Sequence, residues 1–258
     1  MANKLKFKIK GENFETFISR LDELSSIDDT IKLKIDNQHI LMYSMLGGNV
    51  LLAFKNFLMN TKDVFDVEDF DYKLDIIIPN SKKFVKNLAF LKDQDKITLD
   101  VTYKESPDDE DIYWARAMQI SSGKFKVTWL GGEHYEMKDI DKNALKQRLD
   151  LKNRKWFFSI SNGDFLDVKK LSNINADRII SISVVGGVVT LSEKSAWELE
   201  IDKLEDERNS NLILNKKFLS CINDKMEKIE FSIFDTFMLV KDDNSNLMLS
   251  FEQDFSDD

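Results

Sequence analysis

Apolar positions along this chain recur every second residue, then at helical spacing, then every second residue again, and the cycle runs four times. Residues 5–10 alternate as a strand with Phe7 and Ile9 on one face, and Gly11, Glu12 and Asn13 read as a turn into a helix faced by Phe14, Phe17, Ile18, Leu21 and Leu24. Residues 31–35, 40–45 and 50–57 then alternate as strands, the last two joined across Gly47 and Gly48, which can take the positive φ of a tight hairpin. The second cycle predicts a strand at 74–78, a helix at 81–91 and strands near 97–103, 112–120 and 125–130. The third predicts a strand at 156–160, a helix at 164–174, strands at 179–185 and 188–191 across Gly186 and Gly187, and a strand at 196–201. The fourth predicts a strand at 212–214, a helix at 216–223 and strands at 229–234, 237–240 and 247–251.

The cycles are related as well as similar. The segment LDIIIPNSKKFVKNL at 74–88 returns as NLILNKKFLSCI at 211–222, and KFKIKGENFETF at 6–17 returns more loosely as KWFFSISNGDF at 155–165. Four βαβββ units follow, which makes one supersecondary solution used repeatedly. The expected architecture is α+β, with an N-terminal domain at 1–132, a connector at 133–153 where the periodicity lapses, and a C-terminal domain at 154–258 ending in an acidic tail.

With 258 residues and 42% hydrophobic content, two ordinary domains can each bury a core. The single Cys221 and the absence of a leading apolar run point to a reducing, cytoplasmic interior without a signal peptide, and no stretch is long enough to span a membrane. A net charge of −9 argues against a nucleic-acid partner, yet its distribution argues the other way. In the helix at 81–91, Phe84, Val85, Leu88 and Leu91 form the buried stripe and leave Lys82, Lys83 and Lys86 in solvent; the helix at 216–223 repeats the phase with Lys216 and Lys217 outward. Lys169 and Lys170 on the third helix and Arg20 on the first add to this layer, although Glu12, Glu15, Asp22 and Glu23 dilute the first helix. Acids concentrate instead in loops, at 108–111 and 205–207. Lysines on a solvated helix also serve solubility alone, but the same phase in two units suggests a shared surface for phosphates that positions a duplex without reading its sequence.

Catalytic chemistry is sparse. His39 sits at a strand end, and His134 in the connector has no second His or Cys at ligand spacing, so no metal site is expected. Residues 108–111 follow Pro107 and read as a solvated hairpin loop, the glycine pairs lack the Lys-Ser/Thr of a phosphate loop, and Cys221 falls on the buried side of its helix. Neither an enzyme nor a cofactor is expected.

Four such units in two domains, with cations on the helices and acids on the strand loops, resemble the DNA polymerase sliding clamps of the proliferating cell nuclear antigen and T-even phage type. The segment LMYSMLGGNV at 41–50 is similar to the family's loop, with Asn49 where a His stands in cellular clamps, and the C-terminal strand LMLSF at 247–251 leading to an acidic tail is similar too. The resemblance implies three two-domain subunits in a ring, sheets outside and twelve helices lining a channel around duplex DNA. It implies a processivity factor, of viral or phage origin to judge from an AT-rich vocabulary, with a DNA polymerase and a clamp-loader ATPase as partners. It also implies a peptide pocket from Met45, Asn49, Val50, Met137, Ile140 and Phe251, and a subunit contact between strands at 112–120 and 179–185. A monomeric DNA-binding processivity subunit of the same fold, or an inert structural adaptor, remain the alternatives.

Overall fold

A computed structural model describes residues 3–47, 51–91, 96–106, 112–133, 136–137, 139–140, 142–174, 178–194, 196–241 and 245–252. The chain divides into two compact units, Met1–Met45 with Lys55–Asp139, and Leu46–Phe54 with Ile140–Asp258. Asn49, Val50, His134 and the acidic loop at 108–111 lie outside the described residues.

The first unit runs β1 (Asn3–Ile9), α1 (Gly11–Ser25), β2 (Thr30–Ile35), β3 (His39–Gly47), β4 (Leu51–Asn60, shared with the second unit), α2 (Thr61–Val64), β5 (Phe65–Asp66), β6 (Lys73–Pro79), α3 (Ser81–Ala89), β7 (Ile97–Glu105), β8 (Ile112–Ser122) and β9 (Phe125–Leu130). Its strands order as β3-β2-β6-β8-β7-β1-β5, with β9 added to β8. The pairing of β6 with the start of β8 is parallel, and the others are antiparallel. Helix α1 packs beside α3, and Phe14, Phe17, Leu21 and Leu24 from the first and Phe84, Val85 and Leu88 from the second close over Phe7, Leu33, Ile76, Ile78 and Leu99 of the strands.

In the second unit, α4 (Lys142–Arg148) and a 3-10 turn (Leu151–Asn153) lead to β10 (Trp156–Ser161), α5 (Asn162–Ile174), β11 (Ile179–Val185), β12 (Val188–Glu193), β13 (Trp197–Lys203) and β14 (Ser210–Asn215). A second 3-10 turn (Lys216–Cys221), β15 (Lys228–Ile233), β16 (Phe237–Lys241) and β17 (Ser245–Ser250) complete it. One strand set orders as β13-β12-β11-β14 and another as β10-β15-β16-β17. Gly186 and Gly187 sit at φ 55° and 81° between the paired Val185 and Val188, the two positive φ values of a type I′ hairpin.

Three expectations change. Both long helices start early: α1 begins at Gly11, so residues 11–13 are its first turn rather than a turn before it, and α5 begins at Asn162, two residues before the expected 164, where Ser161 Oγ accepts the Asp164 amide at 3.1 Å. The helix expected at 216–223 is a six-residue 3-10 turn, entered where the Asn215 side chain accepts the Lys217 amide and left at Ile222, whose backbone is extended. Finally, the strands expected to join subunits have no free edge: β8 lies between β7 and the pair β6 and β9, and β11 between β12 and β14. Next to these strands, the edges among the described residues are β9 beside β8, and β13 and β14 at the two ends of the order that holds β11.

Candidate nucleic-acid interface

The surface begins with how α3 is entered. Pro79 ends β6, and Asn80 takes a left-handed conformation at φ 51°, which Asn tolerates better than other side chains because its short amide can bond locally. The turn sets the helix phase so that Ser81, Phe84, Val85 and Leu88 are buried. Lys82, Lys83 and Lys86 are exposed and make no ion pair with a described residue. Three free ammonium groups within about one and a half helical turns form a compact positive patch.

The remaining candidate cations are held in different states. Arg20 is half-buried, paired with Glu23 at 3.1 Å and stacked over Phe57 at 4.6 Å, while the buried Lys55 takes the other Glu23 oxygen at 2.7 Å. Lys169 bonds Asp224 at 2.8 Å, and that hydrogen bond, the largest influence on the carboxyl, holds Asp224 below the usual carboxylate range. Lys170 is exposed and paired with Asp167 at 2.9 Å. Lys216 is drawn inward, bonding the Ser172 carbonyl at 2.7 Å and Glu193 at 3.2 Å. Lys217 is exposed, 5.1 Å above the Phe218 ring, and has no ion pair with a described residue. Among the described residues, Lys82, Lys83, Lys86 and Lys217 therefore meet no acid, whereas Arg20, Lys169, Lys170 and Lys216 are engaged. Arg178, exposed just before β11 and without a described ion pair, escaped a reading confined to helices.

The other group of candidates concerns peptide contact. Met137 is 5% exposed and packs within the first unit, whereas Met45, Ile140 and Phe251 are half-buried. Met137 sits on a strap along the first unit. The Gly132 amide donates to the Ile77 carbonyl at 2.9 Å, Trp114 Nε1 donates to the Gly132 carbonyl at 3.1 Å, and Arg116 pairs with Glu133 at 3.2 Å. Its end is fixed by charge. Asp139 bonds the buried Lys32 and, at 2.9 Å, Lys34, while Lys32 also holds Asp75 at 2.9 Å. Burial opposes ionisation of Asp139, but the hydrogen bonds and charges of the two lysines outweigh it and hold the carboxyl below the usual range. Tyr43 beneath this group is pushed above the ordinary phenol range by burial first and by the charges of Asp139 and Asp75 second. Sequence spacing gave no sign of this cluster, since its members come from β2, β3, β6 and the strap.

Among the described residues no group of three His, Cys, Asp or Glu side chains could hold a metal ion, and no helix is long and apolar enough to cross a membrane. No protein-family model and no curated protein matches the sequence. Solved structures match the fold. The DNA polymerase III beta chain of Streptococcus pneumoniae superposes with a TM-score of 0.65 at 12% identity, over 98% of this chain and 66% of that one. The proliferating cellular nuclear antigen of Entamoeba histolytica gives 0.63 at 16% identity, over 96% of this chain and 99% of that one. The Helicobacter pylori beta clamp, solved bound to a DNA ligase peptide, gives 0.66 at 10% identity, over 96% and 65%. The chain thus spans about two thirds of the length of these bacterial clamps and nearly all of the amoebal one. Its fold is the α+β sliding-clamp fold.

Proposed function

We propose that the protein is a DNA sliding clamp, a non-enzymatic ring that encircles duplex DNA and tethers a replicative polymerase. The observation that carries this reading is the end-to-end match to the Entamoeba antigen, 96% of one chain on 99% of the other. A subunit of that size suits three copies per ring. The free lysines of α3 suit the role, because weak contacts to phosphates position a duplex without fixing it. A ring held by topology needs nothing tighter.

The one-sided strands supply the means of closure. On β9, Phe125, Val127 and Trp129 share one face, and Lys126 with its neighbour Lys124 is exposed. Phe125 is 47% exposed and meets Phe90, itself 66% exposed, edge to face at 5.2 Å. On β13, Trp197, Leu199 and Ile201 alternate with the exposed Glu198 and Glu200. An apolar edge with lysines and an apolar edge with glutamates are complementary but not identical, which favours head-to-tail contacts that close only at the right rotation. Pairing them between copies would also cover two exposed strand edges. A ring so closed requires an ATP-driven loader to open it, and partner peptides would dock on each subunit, as a DNA ligase peptide does on the Helicobacter pylori clamp.

Light scattering across a dilution series, together with retention on circular DNA after loading, tests the proposal. The expected result is a species of three times 30.0 kDa that stays on circular DNA and slips off once the DNA is cut. A strictly monomeric protein with no difference between circular and linear DNA refutes it.

A further inference from the structure

In the first unit, three of the chain's five tyrosines meet: Tyr72 just ahead of β6, Tyr103 near the end of β7 and Tyr113 at the start of β8. Their rings close a triangle, with centres 5.3 Å apart for Tyr72 and Tyr103, 4.6 Å for Tyr72 and Tyr113, and 5.4 Å for Tyr103 and Tyr113. Aromatic contacts at such distances are ordinary in a core. The facing of two of the phenols is not. The Tyr72 hydroxyl donates to the Tyr103 hydroxyl at 2.7 Å, and these two rings lie only 33° from parallel. Most side-chain hydrogen bonds go to backbone or water, whereas here two phenols meet oxygen to oxygen. Tyr103 is 8% exposed, and Tyr72 and Tyr113 are half-buried, so the group is shielded yet open to solvent through two of its members.

The arrangement bears on one-electron oxidation. A phenol that loses an electron and its hydroxyl proton becomes a phenoxyl radical, whose unpaired electron is shared with the ring carbons next to the oxygen. Two hydroxyls in hydrogen-bond contact on nearly parallel rings bring one such carbon of each ring close together. Burial first, and the hydrogen bond to Tyr103 second, raise the Tyr72 phenol above its ordinary range, so at neutral pH it keeps its proton and its bond to Tyr103.

We propose that Tyr72 and Tyr103 form an oxidative modification site, at which hydrogen peroxide activated by a haem peroxidase joins the two rings through a carbon–carbon bond. Each phenol first gives up one electron and one proton. The two ring carbons then bond, and each loses its hydrogen as a proton while the adjacent oxygen regains one, which restores both aromatic phenols. In sum, two carbon–hydrogen bonds break and one carbon–carbon bond forms. The two electrons and two protons released reduce one peroxide to two waters. The bond ties the segment before β6 to the end of β7 across 31 positions of the chain. A cross-link of that span restricts the unfolded chain and stabilises the fold.

The test treats the full chain with hydrogen peroxide and a haem peroxidase, then reads the monomer band of a denaturing gel by bityrosine fluorescence and peptide mass spectrometry. The expected product is a linked pair of peptides carrying Tyr72 and Tyr103, lighter by two hydrogens than the separate peptides, in a chain with a raised thermal midpoint. Tyr72→Phe and Tyr103→Phe should each abolish it, and Tyr113→Phe should retain it. Because the link is located in the parent chain itself, the result does not depend on either variant keeping its fold. A monomer band without a bond between Tyr72 and Tyr103, a bond that runs chiefly through Tyr113, or equal fluorescence in all three variants overturns the site.

Discussion

The difference between free and engaged cations leads to a quantitative prediction. Changing Lys82, Lys83 and Lys86 to Ala removes three exposed ammonium groups that pair with no described residue, without touching the buried stripe of α3. If each faces one phosphate, the slope of log affinity against log salt flattens by about 2.7, from about 0.9 per contact. Between 50 and 200 mM salt, the loss of affinity then shrinks by about 40-fold relative to the unmodified protein. The control removes Lys170 together with its partner, as Lys170→Ala with Asp167→Asn, deleting a 2.9 Å pair at no cost in net charge. Its slope should barely move. Fluorescence anisotropy of a labelled linear duplex, read over a salt series, measures both, and circular dichroism verifies that α3 persists. An unchanged slope in the triple variant, or an equal fall in the control, refutes the assignment of α3 to the phosphate surface.

Placing a charge on the exposed Phe125 as Phe125→Glu should convert the particle of three times 30.0 kDa to one of 30.0 kDa in light scattering, with the thermal midpoint of the subunit nearly kept. Asp139→Asn leaves the buried Lys32 with Asp75 alone; because Asp139 is half-exposed, the expected loss is discounted to about 1 to 2 kcal/mol, measurable by urea unfolding at neutral pH. Since Asp139 ionises more easily folded than unfolded, its contribution is present above the ordinary carboxylate pKa and is lost as pH falls through the lowered folded value, so variant and parent should converge in acid. Met45→Ala and Phe251→Ala, tested one at a time, should each weaken calorimetric binding of a polymerase terminal peptide by about 2 kcal/mol or more where that side chain is an anchor, and leave the ring intact.

Much of the fold was legible because it is written in local periodicity. The stripe of α3, the glycine pair at 186 and 187 and most strands follow from side chains within one element. Edges were not legible: β8 and β9 both alternate, and only pairing with distant β6 and β7 decides which of them lies inside. The same limit applied to the cations. Lys169 and Lys82 look alike in sequence, yet Asp224, 55 residues further on, neutralises the first while nothing described meets the second. The two LysLysPhe copies also diverge in form, an α-helix in one and a 3-10 turn in the other, because Ile222 turns extended immediately after Cys221.

The strap along the first unit has a consequence for which mutations the chain can accept. A methyl group on Gly131 would lie 2.5 Å from the Ala115 carbonyl oxygen, and one on Gly132 would lie 2.6 Å from Ile77 Cγ2. Both conflicts are with parts of the sheet, so the strap enters its course by having no side chain at two places, while its far end is held by the Asp139 carboxylate. In a library of substitutions, Gly131 and Gly132 should stand as two intolerant columns, positions where the path of a segment is kept by an absence rather than by a contact.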